Sequence, residues 1–311
     1  MGIKSASLGY VALVVREIEP VANVFGGLLE LPQVELRVGE GRAVSAFAAG
    51  ETVLALFDPD DPFLGEDAQP GMHHLGVCAD DPEGWLRRAG LGSNAAMNAS
   101  SVNDAPQHWP DSVAVGGVRM RVGRPFDAVA APPGRIERID HIGVASADNA
   151  DALRLFCDGM GFVLESQQTD IEVRTAVESF TSDKYGVVYH SRPPEPVGGL
   201  RVAFVTVGDC ELEFLQDFDP GGEAAIDHGR PGNTKQDRSA IARFIERRGA
   251  GLHHLALKTG AIDETLGLLA DAGLRMIDTA GRPGSRRARI GFMHPAALGG
   301  VLLHFVEREE F

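Results

Sequence analysis

Short apolar runs of strand length alternate with amphipathic stretches along the second part of this chain. Residues 138–145, 200–207, 210–216, 252–258, 289–293 and 300–307 read as strands, and the more polar 175–181 is added to them. Between them the pattern predicts helices. Asp148 is placed to cap a helix over 149–158, closed by Gly159 and Gly161. Residues 239–248 read as a connecting helix, and 262–272 as a helix ended by Gly273. The polar, glycine-rich stretch 220–237 reads as a loop.

This pattern repeats within the chain. Residues 8–14 resemble 139–145, and Phe25 and Phe156 follow Tyr10 and His141 at the same offset. The run Gly71-Met72-His73-His74-Leu75 matches Gly251-Leu252-His253-His254-Leu255, and Gly116-Gly117-Val118 matches Gly299-Gly300-Val301. A β-α-β-β-β module used twice per half, four times in all, accounts for the repeats. The expected fold is α+β: two tandem domains, each a cup-shaped curved mixed sheet with outer helices. Their expected bounds are 1–127 and 136–311, joined by a Pro/Ala/Gly linker over 128–135.

Four strands of the second half each carry one ionisable residue whose neighbours on the opposite strand face are mostly bulky and apolar. They are His141, Glu213, His254 and His304. The apolar face packs under a helix and leaves the other face to line a cavity. On this reading Asp140 and His253 belong to the opposite face, away from the cavity. A lone strand histidine is more often structural than a ligand. Three imidazoles and a carboxylate oriented alike point to one divalent metal ion per chain, with Fe, Mn, Co, Ni and Zn all open.

Composition narrows the picture. The chain has 311 residues, 44% hydrophobic, and a net charge of −15. Both halves are acidic, which argues against nucleic acid as the main partner. The local exception is Arg282, Arg286, Arg287 and Arg289, either a site for an anionic substrate or a solvated hairpin. No apolar run approaches the roughly 20 residues of a membrane span, and no signal-peptide pattern opens the sequence. Three scattered cysteines, Cys78, Cys157 and Cys210, suit a reducing, cytoplasmic setting. Cys210 is either near the metal site or plain packing. Assembly into a homo-oligomer stays open.

With these motifs in hand, the chain resembles the vicinal oxygen chelate superfamily, also called the glyoxalase/bleomycin-resistance/extradiol-dioxygenase superfamily. The second half is most similar to methylmalonyl-CoA epimerase, through residues 139–145, 201–204, 210–215, 241–249, 251–257 and 292–295. The resemblance implies two β-α-β-β-β modules curled around a metal, held by His141, Glu213, His254 and His304. Three of these agree with the epimerase and glyoxalase pattern. At the fourth, His304 stands where those enzymes usually have glutamate, and Val202 stands at the second epimerase carboxylate. Glu178 is a candidate replacement base, with a surface role as the alternative. In the first half the matching positions are Tyr10, Ala55, His74 and Arg121, so that domain is expected to be a degenerate copy without metal.

The expected function is a metal-dependent isomerase, epimerase or lyase acting on a carbonyl, such as an acyl-CoA thioester, through a stabilised enolate. A non-haem Fe(II) extradiol-type dioxygenase is the alternative. A non-catalytic binding protein of the bleomycin-resistance type is the third reading, disfavoured by an intact ligand set.

Overall fold

A computed structural model describes residues 6–65, 68–92, 101–126, 132, 134–175, 177–191, 193–218 and 238–308. Among them, the first half contributes strands β1 (Ser7–Val14), β2 (Leu36–Val38), β3 (Arg42–Ala49), β4 (Thr52–Phe57), β5 (Gly71–Cys78), β6 (Ser101–Val102), β7 (Ala105–Pro106) and β8 (Met120–Gly123). The second half contributes β9 (Ile136–Ala145), β10 (Val163–Arg174), β11 (Val177–Ser182), β12 (Gly186–Ser191), β13 (Glu195–Val207), β14 (Cys210–Phe218), β15 (Gly251–Thr259), β16 (Arg282–Pro283), β17 (Arg289–Met293) and β18 (Leu303–Glu307). The sheet orders are β7-β6-β2-β3-β4-β1-β5-β8 and β10-β13-β14-β9-β15-β18-β17-β16.

The repeat seen in the sequence is a repeat of topology. The run β3-β4-β1-β5-β8 corresponds to β13-β14-β9-β15-β18. In both, the first pair is antiparallel, the second parallel, the third antiparallel and the fourth parallel. The tandem vicinal oxygen chelate architecture is therefore present as two curled mixed sheets with few helices. The linker over 128–135 falls largely outside the described residues.

Most strand bounds match the apolar pattern, and β17 coincides with residues 289–293. One assignment fails. Residues 175–181 do not form the second strand of their module; β11 pairs only with β12 in a separate two-stranded ribbon. The module strand is β10, which pairs with β13 over its length. It is an edge strand of mostly polar sequence, and such a strand lacks the apolar run that marks a buried one. The helix expected over 149–158 is also divided. An α-helical turn, α1 (Asn149–Leu153), capped by Asp148, continues into a wider π-type turn over Arg154–Gly159.

The halves share a core. Apolar side chains from both pack in one continuous cluster, in which Trp85 meets Phe162 at 5.9 Å between ring centroids. Asp209 Oδ2 accepts from the Glu51 amide at 2.8 Å, and Gly299 O accepts from the Arg16 amide at 3.2 Å. At two seam positions, Gly117 and Gly300, backbone φ values of 84° and 117° favour glycine. An added Cβ there would overlap the Ala250 carbonyl or Pro70, so the close approach of the halves also requires glycine.

Candidate metal centre

The four candidate ligands come from four neighbouring strands: His141 on β9, Glu213 on β14, His254 on β15 and His304 on β18. Register brings them together. Gly143 on β9 lies beside both Glu213 and His254, and Ala256 on β15 lies beside His304 and His141. Gly143 leaves the space that the His254 imidazole fills, since a Cβ at that position would overlap the ring. Ligand-type atoms of His141, His254 and His304 all lie within 4.8 Å of one another. Glu213 Oε2 stands 3.3 Å from Nε2 of both His141 and His254. All four side chains are buried.

Burying three imidazoles and a carboxylate together is costly unless each polar atom has a partner. His304 does not. It is 4% exposed, and both its ring nitrogens lack a hydrogen-bond partner. Burial and the neighbouring His254 and His141 keep its pKa well below the ordinary imidazole value, so it stays neutral with a lone pair available. Burial likewise lowers His254. Burial opposes charge on His141 too, but Glu213 and Asp140 outweigh it and lift its pKa to about 9. Glu213, despite its burial, is held well below the usual carboxylate range by His141 and His254. A neutral orphaned imidazole beside an ionised carboxylate is a donor set that fits a divalent cation.

The neighbours fix ring orientation. Asp140 Oδ1 accepts a hydrogen bond from His141 Nδ1–H at 2.7 Å, which leaves Nε2 facing Glu213 and His254. Arg308 clamps Asp140 at 3.0 and 2.9 Å. His253 Nδ1 lies 3.0 Å from His254 Nδ1, so one of these nitrogens must donate to the other. His253 lines the cavity, against the expectation that it faces away, whereas Asp140 stays off the lining and reaches only the His141 ring. The β9–β15 register shifts between Leu252 and His254 and again between Ala256 and Leu257. Such irregularities break strict alternation and re-aim side chains. The sequence signal was available only as the paired His253-His254 and Asp140-His141, whose orientation a regular strand cannot explain.

The cluster lines a cavity of about 360 Å³. Its walls are mainly apolar, with Leu200, Phe204, Leu215, Ile241, Ile290 and Phe292 prominent. Of the four arginines expected at a substrate site, two line it. Arg282 bonds Asp278 at 3.1 Å. Arg286 stacks on Phe204 at 3.7 Å, bonds Glu165 at 2.9 Å and pairs with Glu211. Arg289 is turned outward to Asp263 and Glu307, and Arg287 is exposed away from the lining. Arg308 lines the cavity and was not anticipated. Glu178 is exposed on the β11–β12 ribbon and is not among the lining residues. Cys210 is buried at the β13–β14 turn and donates to Val207 O, outside the cavity.

Comparisons with known proteins agree with this architecture. Residues 140–292 match the family model described as Glyoxalase/Bleomycin resistance protein/Dioxygenase superfamily. The uncharacterized protein YqjC of Bacillus subtilis is 24% identical over 172 residues, 55% of this chain and 93% of its own length. The mitochondrial methylmalonyl-CoA epimerase of Dictyostelium discoideum is 25% identical over 131 residues, 40% of this chain and 69% of its own. Among solved structures, a triple mutant of 4-hydroxymandelate synthase from Streptomyces coelicolor shares the fold over 99% of this chain and 94% of its own, with 15% identity and a TM-score of 0.59. The stretch that carries His141, Glu213 and His254 is thus similar to the glyoxalase/bleomycin resistance protein/dioxygenase superfamily, also called the vicinal oxygen chelate superfamily.

Proposed function

We propose that this chain is a metal-dependent enzyme acting on a small carbonyl compound that carries an anionic group, as an isomerase, epimerase or lyase working through an enolate. The observation that supports it is the orphaned, buried His304 ring beside His141, His254 and Glu213, in a cavity with mainly apolar walls. His141, Glu213, His254 and His304 would hold one divalent ion. Such an ion supplies Lewis-acid charge that polarises a carbonyl and acidifies the adjacent carbon–hydrogen bond.

The chain's own residues do the rest. Asp140 and Arg308 hold the His141 ring in one tautomer. The apolar walls exclude water and so strengthen every charge interaction within. Arg286 keeps its Nε without a partner, buried beside Phe204, and offers it to a substrate carboxylate or thioester oxygen. The epimerase relatives support a thioester as the substrate class.

One observation favours a second reading. Among the described residues lining the cavity, Glu213 is the only carboxylate, and the position of the usual proton-transferring glutamate is His304. An Fe(II) dioxygenase needs no proton shuttle of that kind. For the same reason ordinary methylmalonyl-CoA epimerase turnover is expected to be weak.

Metal analysis of the purified protein, followed by two assays, tests both readings. Solvent deuterium should enter acyl-CoA thioesters under the first, whereas oxygen uptake with catechols marks the second. A protein that binds no divalent metal stoichiometrically, or whose activity survives His254→Ala, would rule out both.

A further inference from the structure

A second cavity, of about 300 Å³, opens at the seam between the halves. Its walls come from both. Gln69, Met72, His73, Gly117 and Arg119 belong to the first half; Phe244, Arg247, Arg248 and Leu252 belong to the second. Three guanidinium groups therefore converge on one cleft in a chain with net charge −15, and none of the lining residues is a carboxylate.

The contrast with the metal cavity is informative. There Arg282, Arg286 and Arg308 are each paired with an acid, namely Asp278, Glu165 with Glu211, and Asp140. In the seam cleft, among the described residues, no carboxylate pairs with Arg119, Arg247 or Arg248. Arg119 Nη1 donates to His73 Nε2 at 3.1 Å, and Arg248 Nη1 donates to Pro70 O at 3.3 Å. The Arg248 guanidinium also lies 5.9 Å from the Phe244 ring centroid. These contacts aim two of the forks without neutralising them. Like charges held near one another repel, and an anion removes that cost. A guanidinium is also the side chain best matched to phosphate geometry. Three of them suit a multiply charged ligand, and the volume exceeds what one carboxylate fills.

We propose that this seam cleft is a binding site for a phosphate-bearing anion, held by Arg119, Arg247 and Arg248. The site stands on its own charge and geometry and is independent of the reaction assigned to the metal centre. It also borders that centre: Phe244 in the cleft wall meets His253 at 4.9 Å in an edge-to-face contact, and His253 lines the metal cavity. The phosphate therefore comes either from a free anion or from the tail of a long ligand that also reaches the metal cavity.

Isothermal titration of the full chain with inorganic pyrophosphate, and in parallel with coenzyme A, tests the proposal. Saturable binding is expected. It should weaken roughly tenfold or more, about 1.4 kcal/mol, in Arg119→Gln and in Arg248→Gln, and weaken as salt is raised. All three arginines are exposed, so these variants should retain the parent melting temperature. Coenzyme A binding at least tenfold tighter than pyrophosphate assigns the cleft to the tail of a long ligand; equal affinities assign it to a free anion. If neither probe binds saturably, or if the double variant Arg119→Gln/Arg248→Gln binds as the parent does, the proposal is wrong.

Discussion

In the first half, the residues that face into the cup are Tyr10, Ala55, His74 and Arg121. By strand register these are the counterparts of His141, Glu213, His254 and His304. The first cup is filled by its own side chains: Tyr10, Leu36, Phe57, Phe63 and Leu64 pack there as a buried cluster. Arg121, 0% exposed, is sandwiched between the rings of Phe63 and Trp109 at 3.6 and 3.7 Å, beside His74. A fixed guanidinium occupies the ligand position in this half, and Ala55 offers no carboxylate. The second cup keeps its candidate ligands and its cavity. The comparison teaches that this curved sheet stays stable with its interior either packed or open, because the main core lies on the other face and runs through both halves. One copy can thus be given over to support while the other keeps the chemistry.

The largest expected difference lies between equivalent histidines. His254→Ala should reduce metal content and turnover to background. His74→Ala should leave both unchanged and cost about 1–3 kcal/mol in stability, because it strips hydrogen bonds from Tyr10 and His73. Metal analysis, turnover and denaturant unfolding of the two variants decide this; equal metal loss would break the distinction between the halves.

The next test concerns the position that separates the open cup from its epimerase relatives. His304→Glu restores a carboxylate able to move a proton and should raise turnover of methylmalonyl-CoA by about 10²-fold, the lower end for general acid–base catalysis. Strong parent activity that the substitution abolishes would show that residue 304 has a different role. A smaller effect is expected one contact away from the ligands. Asp140→Asn should lower metal affinity by about 10–100-fold through the released His141 ring, and competition with a chelator measures it.

A last comparison of the two cups uses a matched pair of glycines. An added Cβ at Gly143 would overlap the His254 ring, and one at Gly76 would overlap the Tyr10 ring. Gly143→Ala and Gly76→Ala should each cost about 1–3 kcal/mol by overpacking. Only Gly143→Ala should also lose metal. If both retain metal at parent affinity, His254 tolerates displacement and the register argument is too strict.

Much of this was legible in the chain itself. The repeated motifs at residues 71–75 and 251–255 revealed the duplication, because a repeated strand pattern folds into a repeated module. The buried β9, β13, β14, β15 and β18 were readable because burial on both faces demands continuous apolar residues. The polar edge strand β10 was not, because its stretch Glu165–Asp170 is polar throughout and breaks any apolar run.

At the site, the sequence by itself determined which residue types were available and that His141, Glu213, His254 and His304 sat on strands with apolar opposite faces. Only the tertiary structure decided their company. Strand order brought β14, β9, β15 and β18 side by side, although they are far apart along the chain. Local register shifts turned His253 toward the cavity it was expected to face away from and Asp140 toward the His141 ring. Chain pairing also sorted the arginine cluster, sending Arg282 and Arg286 to the cavity and Arg289 to Asp263, and it brought Arg119 of one half to Arg247 and Arg248 of the other. The physical reason is common to all three. Alternation along a strand is a local property written in the sequence, whereas register, bulges and the packing of one half on the other depend on contacts between residues distant in it.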